Sequence, residues 1–293
     1  MMGFIRKHFP QTRIICGGGL VTSWRHIPGF ENPFPGLVDE LVDGPGEERL
    51  LEICGGNTAG AATGSGYDYT DVDWDRYLAP GRVLPYSTSR GCYWKKCEFC
   101  PETAEDAPYL TTTPQAIVED LRRVAAQTSA GLIHFLDNAL SPRLLAYLTD
   151  RPPGTPWYGF VRVTGHLTDP EFVKGLKASG CVMLKLGVES GDQKVLDALG
   201  KGINIEMVSR ALDTIHGAGI ATYVYLLFGT PPENETRARQ TLDFTLQHAA
   251  SIDFLNLAIF NLPAHSDEAD GLETVDFYEG DLSLYRQFIH PLG

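Results

Sequence analysis

The sequence predicts an α/β protein: a partial (β/α)6 TIM-like barrel with a parallel sheet, preceded by a fragment of a Rossmann-like α/β domain. Three observations predict it. From residue 82 onward, short runs rich in Val, Ile, Leu, Phe and Tyr alternate with longer amphipathic stretches, the order of successive βα units. The short runs are almost continuously apolar, as strands buried on both faces of a parallel sheet must be. Helix start and stop residues fall between them. Six such units point to an open parallel barrel rather than a closed eight-unit one.

Taken in order, residues 1–55 read as the tail of an α/β unit. Phe4 to Phe9 ends a helix, and Arg13-Ile14-Ile15-Cys16 is a short strand running into Gly17-Gly18-Gly19. A second strand at Leu41-Val42 runs into Gly44, and Glu47 to Ile53 forms a short helix. A strand that ends in glycines admits close approach of a ligand to the backbone, or simply makes a tight turn. Residues 56–80 are a linker and short helix: small, polar and Gly-rich as far as Thr70, then Asp71 to Tyr77, which lays Trp74 and Tyr77 against the next domain.

The barrel is placed at 81–265, with strands at 82–88, 131–136, 157–163, 181–188, 220–228 and 252–260. Helices fall near 114–127, 141–149, 169–178, 204–216 and 234–249. Thr113 caps the first of these, with Pro114 at its first position. Thr168-Asp169-Pro170-Glu171 reads as a capping box, and Gly180 and Gly217 stand just past helix ends. In the last helix, Ala238, Leu242, Leu246 and Ala249 share one face at helical spacing. Residues 266–293 remain as a C-terminal tail.

Composition narrows the class. A chain of 293 residues with 43% hydrophobic and 21% charged residues buries a substantial core. The net charge of −13 disfavours a nucleic-acid surface, which needs concentrated Lys and Arg. The start has no signal-peptide pattern, and no apolar run approaches membrane-spanning length, so no membrane partner is expected. The six cysteines, three clustered and three scattered, do not form a disulfide framework, which fits the cytoplasm.

The clustered three organise the chain. Ser89-Arg90-Gly91-Cys92-Tyr93-Trp94-Lys95-Lys96-Cys97-Glu98-Phe99-Cys100 follows the first barrel strand and spaces its thiols C-x4-C-x2-C. Thiolates in such a cluster suit zinc or iron–sulfur. Structural zinc and ordinary ferredoxin clusters want four ligands, and Cys16, Cys54 and Cys181 are isolated. Three local thiols suggest a cubane with one open iron. A zinc knuckle with a distant fourth ligand, or a redox pair at Cys97 and Cys100, are the alternatives.

The loop resembles the cluster loop of radical S-adenosylmethionine (SAM) enzymes, whose spacing is C-x3-C-x2-C with an aromatic before the last cysteine. Phe99 holds the aromatic position, and one extra residue separates Cys92 from Cys97. The likeness runs in motif order over about residues 82–263. It implies a [4Fe–4S] cluster on Cys92, Cys97 and Cys100, and bound SAM. It further implies Asp137 and Asn138 steering the SAM amino group, Glu189 and Ser190 at the ribose and methionine portions, and Arg162 at the carboxylate. Phe99, Leu227 and Gly229 would wall the adenine. Glu233 stands four residues after Gly229 and is given no role. Each has a structural alternative: helix-start residues for Asp137, Asn138 and Glu233, an ion pair for Arg162. His134, His216 and Met183 read as core or surface residues.

Within that family, residues 38–51 resemble the last third of the cobalamin-binding domain of one branch. That domain's lower-ligand loop, D-x-H-x-x-G, does not occur in this sequence; cobalamin stays an alternative that the missing loop argues against. The half-domain opens abruptly at Met1 and residues 281–293 break off without a domain, so the chain is expected to lack part of either end. The resemblance implies reductive cleavage of SAM to a 5′-deoxyadenosyl radical, acting on an unidentified small molecule or peptide in a methyl transfer or rearrangement. A reductase, flavodoxin or ferredoxin would donate the electron, and 55–77 or the tail after 263 would cover the barrel mouth. The alternatives are a non-catalytic zinc or iron–sulfur binding module and an inactive remnant.

Overall fold

A computed structural model describes residues 1–25, 29–56, 66–104, 108–263, 271–277 and 285–290. Residues 57–65 of the predicted Gly-rich linker, 264–265 at the end of the predicted barrel span, and 266–270, 278–284 and 291–293 of the predicted tail lie outside the described residues. The chain forms two compact units, 1–66 with 261–289, and 67–260 with 290–293. Among the described residues no helix is long and apolar enough to cross a membrane.

The first unit opens with α1 (Met2–His8), β1 (Ile15–Cys16), α2 (Gly19–Arg25), β2 (Glu40–Leu41) and α3 (Glu47–Ile53). β1 and β2 pair in parallel, Ile15 opposite Glu40. Between β1 and α2 the backbone passes through Gly18 at φ +95°, a conformation open to glycine. Val21, Trp24 and Val38 are buried, and the Trp24 ring stacks on Phe30 at 5.7 Å. The expected α/β fragment is therefore present as a strand, a glycine turn and a helix.

The second unit is built on six parallel strands: β3 (Val83–Tyr86), β6 (Leu132–Phe135), β7 (Trp157–Val161), β8 (Cys181–Glu189), β9 (Ala221–Phe228) and β10 (Phe254–Ile259). Each strand pairs with the one before it in this series, giving the order expected of consecutive right-handed βα units. Between β3 and β6 the chain adds β4 (Ser89–Arg90), α4 (Pro101–Ala104), β5 (Leu110–Thr111) and α5 (Pro114–Thr128). The remaining crossovers are α6 (Pro142–Asp150), α7 (Pro170–Ala178), α8 (Gln193–Ala198), α9 (Ile205–Gly217) and α10 (Glu235–Gln247).

Alternation along the strands divides the sheet into two faces. Leu84, Ile133, Phe135, Trp157, Leu184, Leu186 and Val224 are buried in one core with Leu121, Leu144, Leu176 and Leu212 of the helices. Trp74, as expected, packs against the same core and Tyr69 joins it, but Tyr77, expected beside Trp74, is exposed. The expectation of burial on both faces is not met: on β3 to β9 the alternate residues are mostly half-buried, and β10, at the edge of the sheet, is exposed along most of its length.

Three local expectations are corrected. Asp169, not Thr168, caps α7, its carboxylate accepting from Glu171 N at 3.0 Å. Gly217 is the last residue of α9 and takes no left-handed conformation; Gly219, at φ +71°, does. On α10 the face that turns inward carries Thr241 and Phe244, while Leu242 and Leu246 are exposed. Helical periodicity located a stripe, but close approach to β8 selects the small Thr241.

The C-terminal stretch was read as a bare tail. Within it β12 (Thr274–Val275) and β13 (Tyr285–Phe288) join β11 (Leu262–Pro263), from the end of the span expected as barrel, in a three-stranded antiparallel sheet of the first unit, in the order β11-β13-β12. Strands this short leave no countable alternation in sequence.

Candidate functional site

The three thiols lie on the loop between β4 and α4. Pairing of β4 with β5, Ser89 opposite Thr111 and Arg90 opposite Leu110, draws its two sides together. Gly91 enters the loop at φ +73°, with Pro108 O only 2.5 Å from where a Cβ would stand. The extra residue between Cys92 and Cys97 is taken up by a left-handed turn at Lys95, φ +46°. Cys100 N donates to Cys97 O at 3.2 Å, which fixes the last two cysteines in one turn.

A second loop, between α8 and α9, holds the first. Glu98 N donates to Leu199 O at 3.2 Å. Gly200 and Gly202 both have positive φ, and a Cβ on them would meet Lys96 O at 2.6 Å and the Trp94 ring at 2.5 Å. Only glycine allows this contact. Arg162, just past β7, completes the clamp. Its guanidinium lies 3.6 Å from the Trp94 ring centroid, and its Nη2 donates to the carbonyls of Lys201 and Gly202. Arg162 is expected at the SAM carboxylate or in an ion pair; here its donors go to backbone carbonyls and its plane to an indole. It also faces the Cys97 thiol.

Glu189 ends β8 at a register shift in the β8–β9 ladder, with φ +70°. A bulge of this kind re-aims a side chain, and strain of this kind is held only where surroundings enforce it. Its Oε1 accepts from Lys201 Nζ at 2.7 Å, with both side chains almost fully buried, 11% and 9% exposed. Lys201 Nζ also stands 5.5 Å from the Phe99 ring centroid. Cys97, Phe99, Arg162, Glu189 and Lys201 thus form one group. Burial pushes the Cys97 thiol up from its ordinary range, opposed by Lys201 and Arg162 and assisted by Glu189. Burial raises Cys100 to about 11. Both are thiols at neutral pH until a metal replaces the proton.

The other expected residues sit around this group in supporting positions. Asp137 is buried and accepts from Thr88 N at 3.0 Å, Thr88 Oγ1 at 2.7 Å and Ser89 Oγ at 2.6 Å, so it ties the end of β3 to the start of the thiol loop. Asn138 Nδ2 donates to Glu102 Oε1 at 2.7 Å, at the other end of that loop. Ser190 is fully buried; its hydroxyl meets Thr241 Oγ1 at 3.0 Å and accepts from Asp192 N. Leu227 and Gly229 lie at the same end of the sheet, one strand beyond Glu189. Glu233 folds back to accept from Gly229 N, and burial raises its carboxyl above the ordinary range.

The donor chemistry fits an iron–sulfur cubane. Cys181 is fully buried in the core and Cys16 and Cys54 belong to the other unit, which leaves three thiols on the loop. Among the described residues no group of His, Cys, Asp or Glu converges as ligands of a single metal ion. A cubane makes no such demand, because each thiolate binds a different iron. Buried polar atoms without a partner among the described residues gather here as well: Tyr93 Oη, Trp94 Nε1, Glu102 Oε2 and Thr103 Oγ1 all belong to the thiol loop and α4. Lys201, Trp94, Gly200 and Gly202 were not singled out from sequence. The available signal was a lysine between two glycines directly after the short helix that follows Glu189-Ser190-Gly191.

A family model described as the radical SAM superfamily matches residues 86–245, more than half of the chain. The anaerobic magnesium-protoporphyrin IX monomethyl ester cyclase of Rubrivivax gelatinosus is 26% identical over 225 residues, covering 72% of this chain and 40% of the cyclase. The tryptophan 2-C-methyltransferase of Streptomyces laurentii is 27% identical over 229 residues, covering 70% of this chain and 38% of the enzyme. The chain therefore spans about two fifths of the length of these relatives. Among solved structures, the cobalamin-dependent SAM radical enzyme OxsB, with aqua-cobalamin and SAM bound, superposes with a TM-score of 0.67 at 13% identity, covering 98% of this chain and 53% of that one. The radical SAM methyltransferase TsrM from Kitasatospora setae, with tryptophan and a SAM analogue bound, gives 0.64 at 21% identity, covering 90% and 58%.

Proposed function

The chain belongs to the radical SAM superfamily, and on that premise we propose that it is an enzyme that holds a [4Fe–4S] cluster on Cys92, Cys97 and Cys100 and cleaves SAM reductively. The observation that carries this is the locked three-thiol loop beside the buried Glu189–Lys201 pair. Bound there, the cluster would supply the electron that breaks SAM into methionine and a 5′-deoxyadenosyl radical.

The chain's own residues then bind and orient. Lys201 is a buried cation at the loop, suited to the carboxylate of SAM; Glu189 is a carboxylate suited to its ammonium or ribose hydroxyls. Phe99 offers an apolar ring beside them, in keeping with an adenine wall that Leu227 and Gly229 extend. Arg162 is a positioning residue that keeps Trp94 and the thiol loop on the Gly200–Gly202 loop. Asp137 keeps Ser89 at the loop's entry. The named relatives carry out cyclisation and methyl transfer, and we place this chain's reaction among radical transformations of those classes. Cobalamin is named for the structural relatives; no residue of this chain is assigned to it.

The test is anaerobic reconstitution with iron and sulfide, then SAM and dithionite, with 5′-deoxyadenosine measured beside a variant carrying Cys92, Cys97 and Cys100 all as Ala. Product in the wild type and none in the variant is expected. A full cluster without product would overturn SAM cleavage, and one bound zinc in place of iron would overturn the cluster.

A further inference from the structure

The helix-free face of the sheet is lined by rings. Pairing in parallel strands sets directly opposed residues on the same face. Phe160 opposes Lys185 and Lys185 opposes Tyr223, so these three form one half-buried row across the strands, and the opposed pair His134 and Tyr158 stands in the adjacent row. The rings touch: His134 stacks on Tyr158 at 4.4 Å and 8°, and Phe160 meets Tyr225 edge-on at 5.1 Å. Tyr223 and Tyr225 are 4.8 Å apart.

One charge stands in this row. Lys185 Nζ lies 5.8 Å from the Tyr225 ring centroid, near the outer limit of a cation–π contact. Among the described residues it makes no ion pair, and the strand positions beside it on this face carry no Asp or Glu. Burial and Lys185 together hold the His134 pKa below its ordinary value, which leaves that imidazole neutral at pH 7. A lysine half-buried among rings without an anion is costly to keep. A chain of net charge −13 that places a lone cation there selects for an anionic group by complementarity.

The row joins the site already described. Gly187, two residues beyond Lys185, leaves a gap at which a Cβ would meet Glu189 Oε1 at 2.7 Å, Lys201 Nζ at 2.9 Å and Phe160 Cε1 at 3.2 Å. The rings therefore run up to the Glu189–Lys201 pair without an intervening side chain.

We propose that this face binds the substrate, a flat aromatic ring system bearing a carboxylate, with the rings against Tyr225 and Phe160 and the carboxylate on Lys185. The assignment of the occupant as substrate rests on the radical SAM reading; the ring and anion preference does not. The probes are 2-naphthoate, its neutral isostere 2-naphthalenemethanol, and cyclohexanecarboxylate, titrated calorimetrically into the full chain with and without reconstituted cluster. 2-Naphthoate should bind tightest, and tighter than the alcohol by roughly tenfold, the scale of one partly buried charge contact. Lys185→Gln should erase the preference over the alcohol, Lys185→Arg should retain it, and Tyr225→Leu should erase the preference over cyclohexanecarboxylate. Equal binding of naphthoate and alcohol, or a preference that survives Lys185→Gln, would overturn the anion site. Equal binding of the two carboxylates would overturn the aromatic one. Absence of 5′-deoxyadenosine with the naphthoate preference intact would sink the SAM reading and leave this site standing.

Discussion

At the residue scale, Glu233 shows how a side chain with an obvious capping role becomes an electrostatic cost. Its carboxyl is buried, one oxygen accepts from Gly229 N and the other has no partner among the described residues. Burial raises its pKa above 4.5, with Asp192 adding and Gly229 and His290 opposing. The folded state therefore keeps this proton to higher pH than the unfolded chain does. Stability from this group is full below about 4.5 and is lost as pH rises through the folded value. Glu233→Gln removes that dependence, so the variant should gain on the wild type as pH rises, compared at pH 4.5 and at a pH above the folded value. Thermal melts at both pH values check it; a difference that does not change with pH would count against it. Asp137 acts through hydrogen bonds: three donors from Thr88 and Ser89 surround its carboxyl group, which holds the entry to the thiol loop.

At the scale of elements, two backbone approaches do work that no side chain could. The Glu189-Ser190-Gly191 turn meets α10 where a Cβ on Gly191 would stand 2.8 Å from Thr241 Cα and 2.7 Å from Phe244 Cβ. That contact, with the Ser190–Thr241 hydroxyl pair, explains why α10 turns Thr241 inward and leaves Leu242 and Leu246 exposed. The Gly200–Gly202 loop does the same for the thiol loop. Gly202→Ala adds a strained positive φ and pushes the Trp94 ring off Arg162. The expected cost is about 2–3 kcal/mol, from backbone strain plus the lost ring contact. Urea unfolding gives the stability change, and iron content after reconstitution should fall with it. Wild-type stability and iron loading in the variant would show that the loop does not depend on this contact.

At the scale of the whole molecule, folding places three half-buried thiols in one region with buried polar atoms that have no partner among the described residues. Cluster loading should therefore stabilise the second unit by roughly 2–4 kcal/mol, since a ligand bound only to the folded state adds its binding energy to folding. Melting of anaerobically reconstituted and chelator-stripped chain measures it. A cluster that forms without raising the transition would contradict a preformed site.

All six barrel strands and the helices α5, α6, α7, α9 and α10 were legible in the sequence, because the parallel strands are written as nearly unbroken apolar runs and helix ends as Thr, Ser, Asp and Asn caps with early prolines. The three thiols were legible for the same reason: their relation is local, set by spacing along one loop. Short elements such as α4, α8 and β11 to β13 were not, since two to six residues carry no period. What only the tertiary structure decided is every pairing between distant segments: Arg162 with Trp94, Glu189 with Lys201, Asp137 with Thr88 and Ser89, and the row of rings around Lys185. A residue's chemistry is fixed by its type, but its role is fixed by the neighbours that strand register and loop docking bring within a few ångströms, and those neighbours lie from 12 to several tens of residues away along the chain.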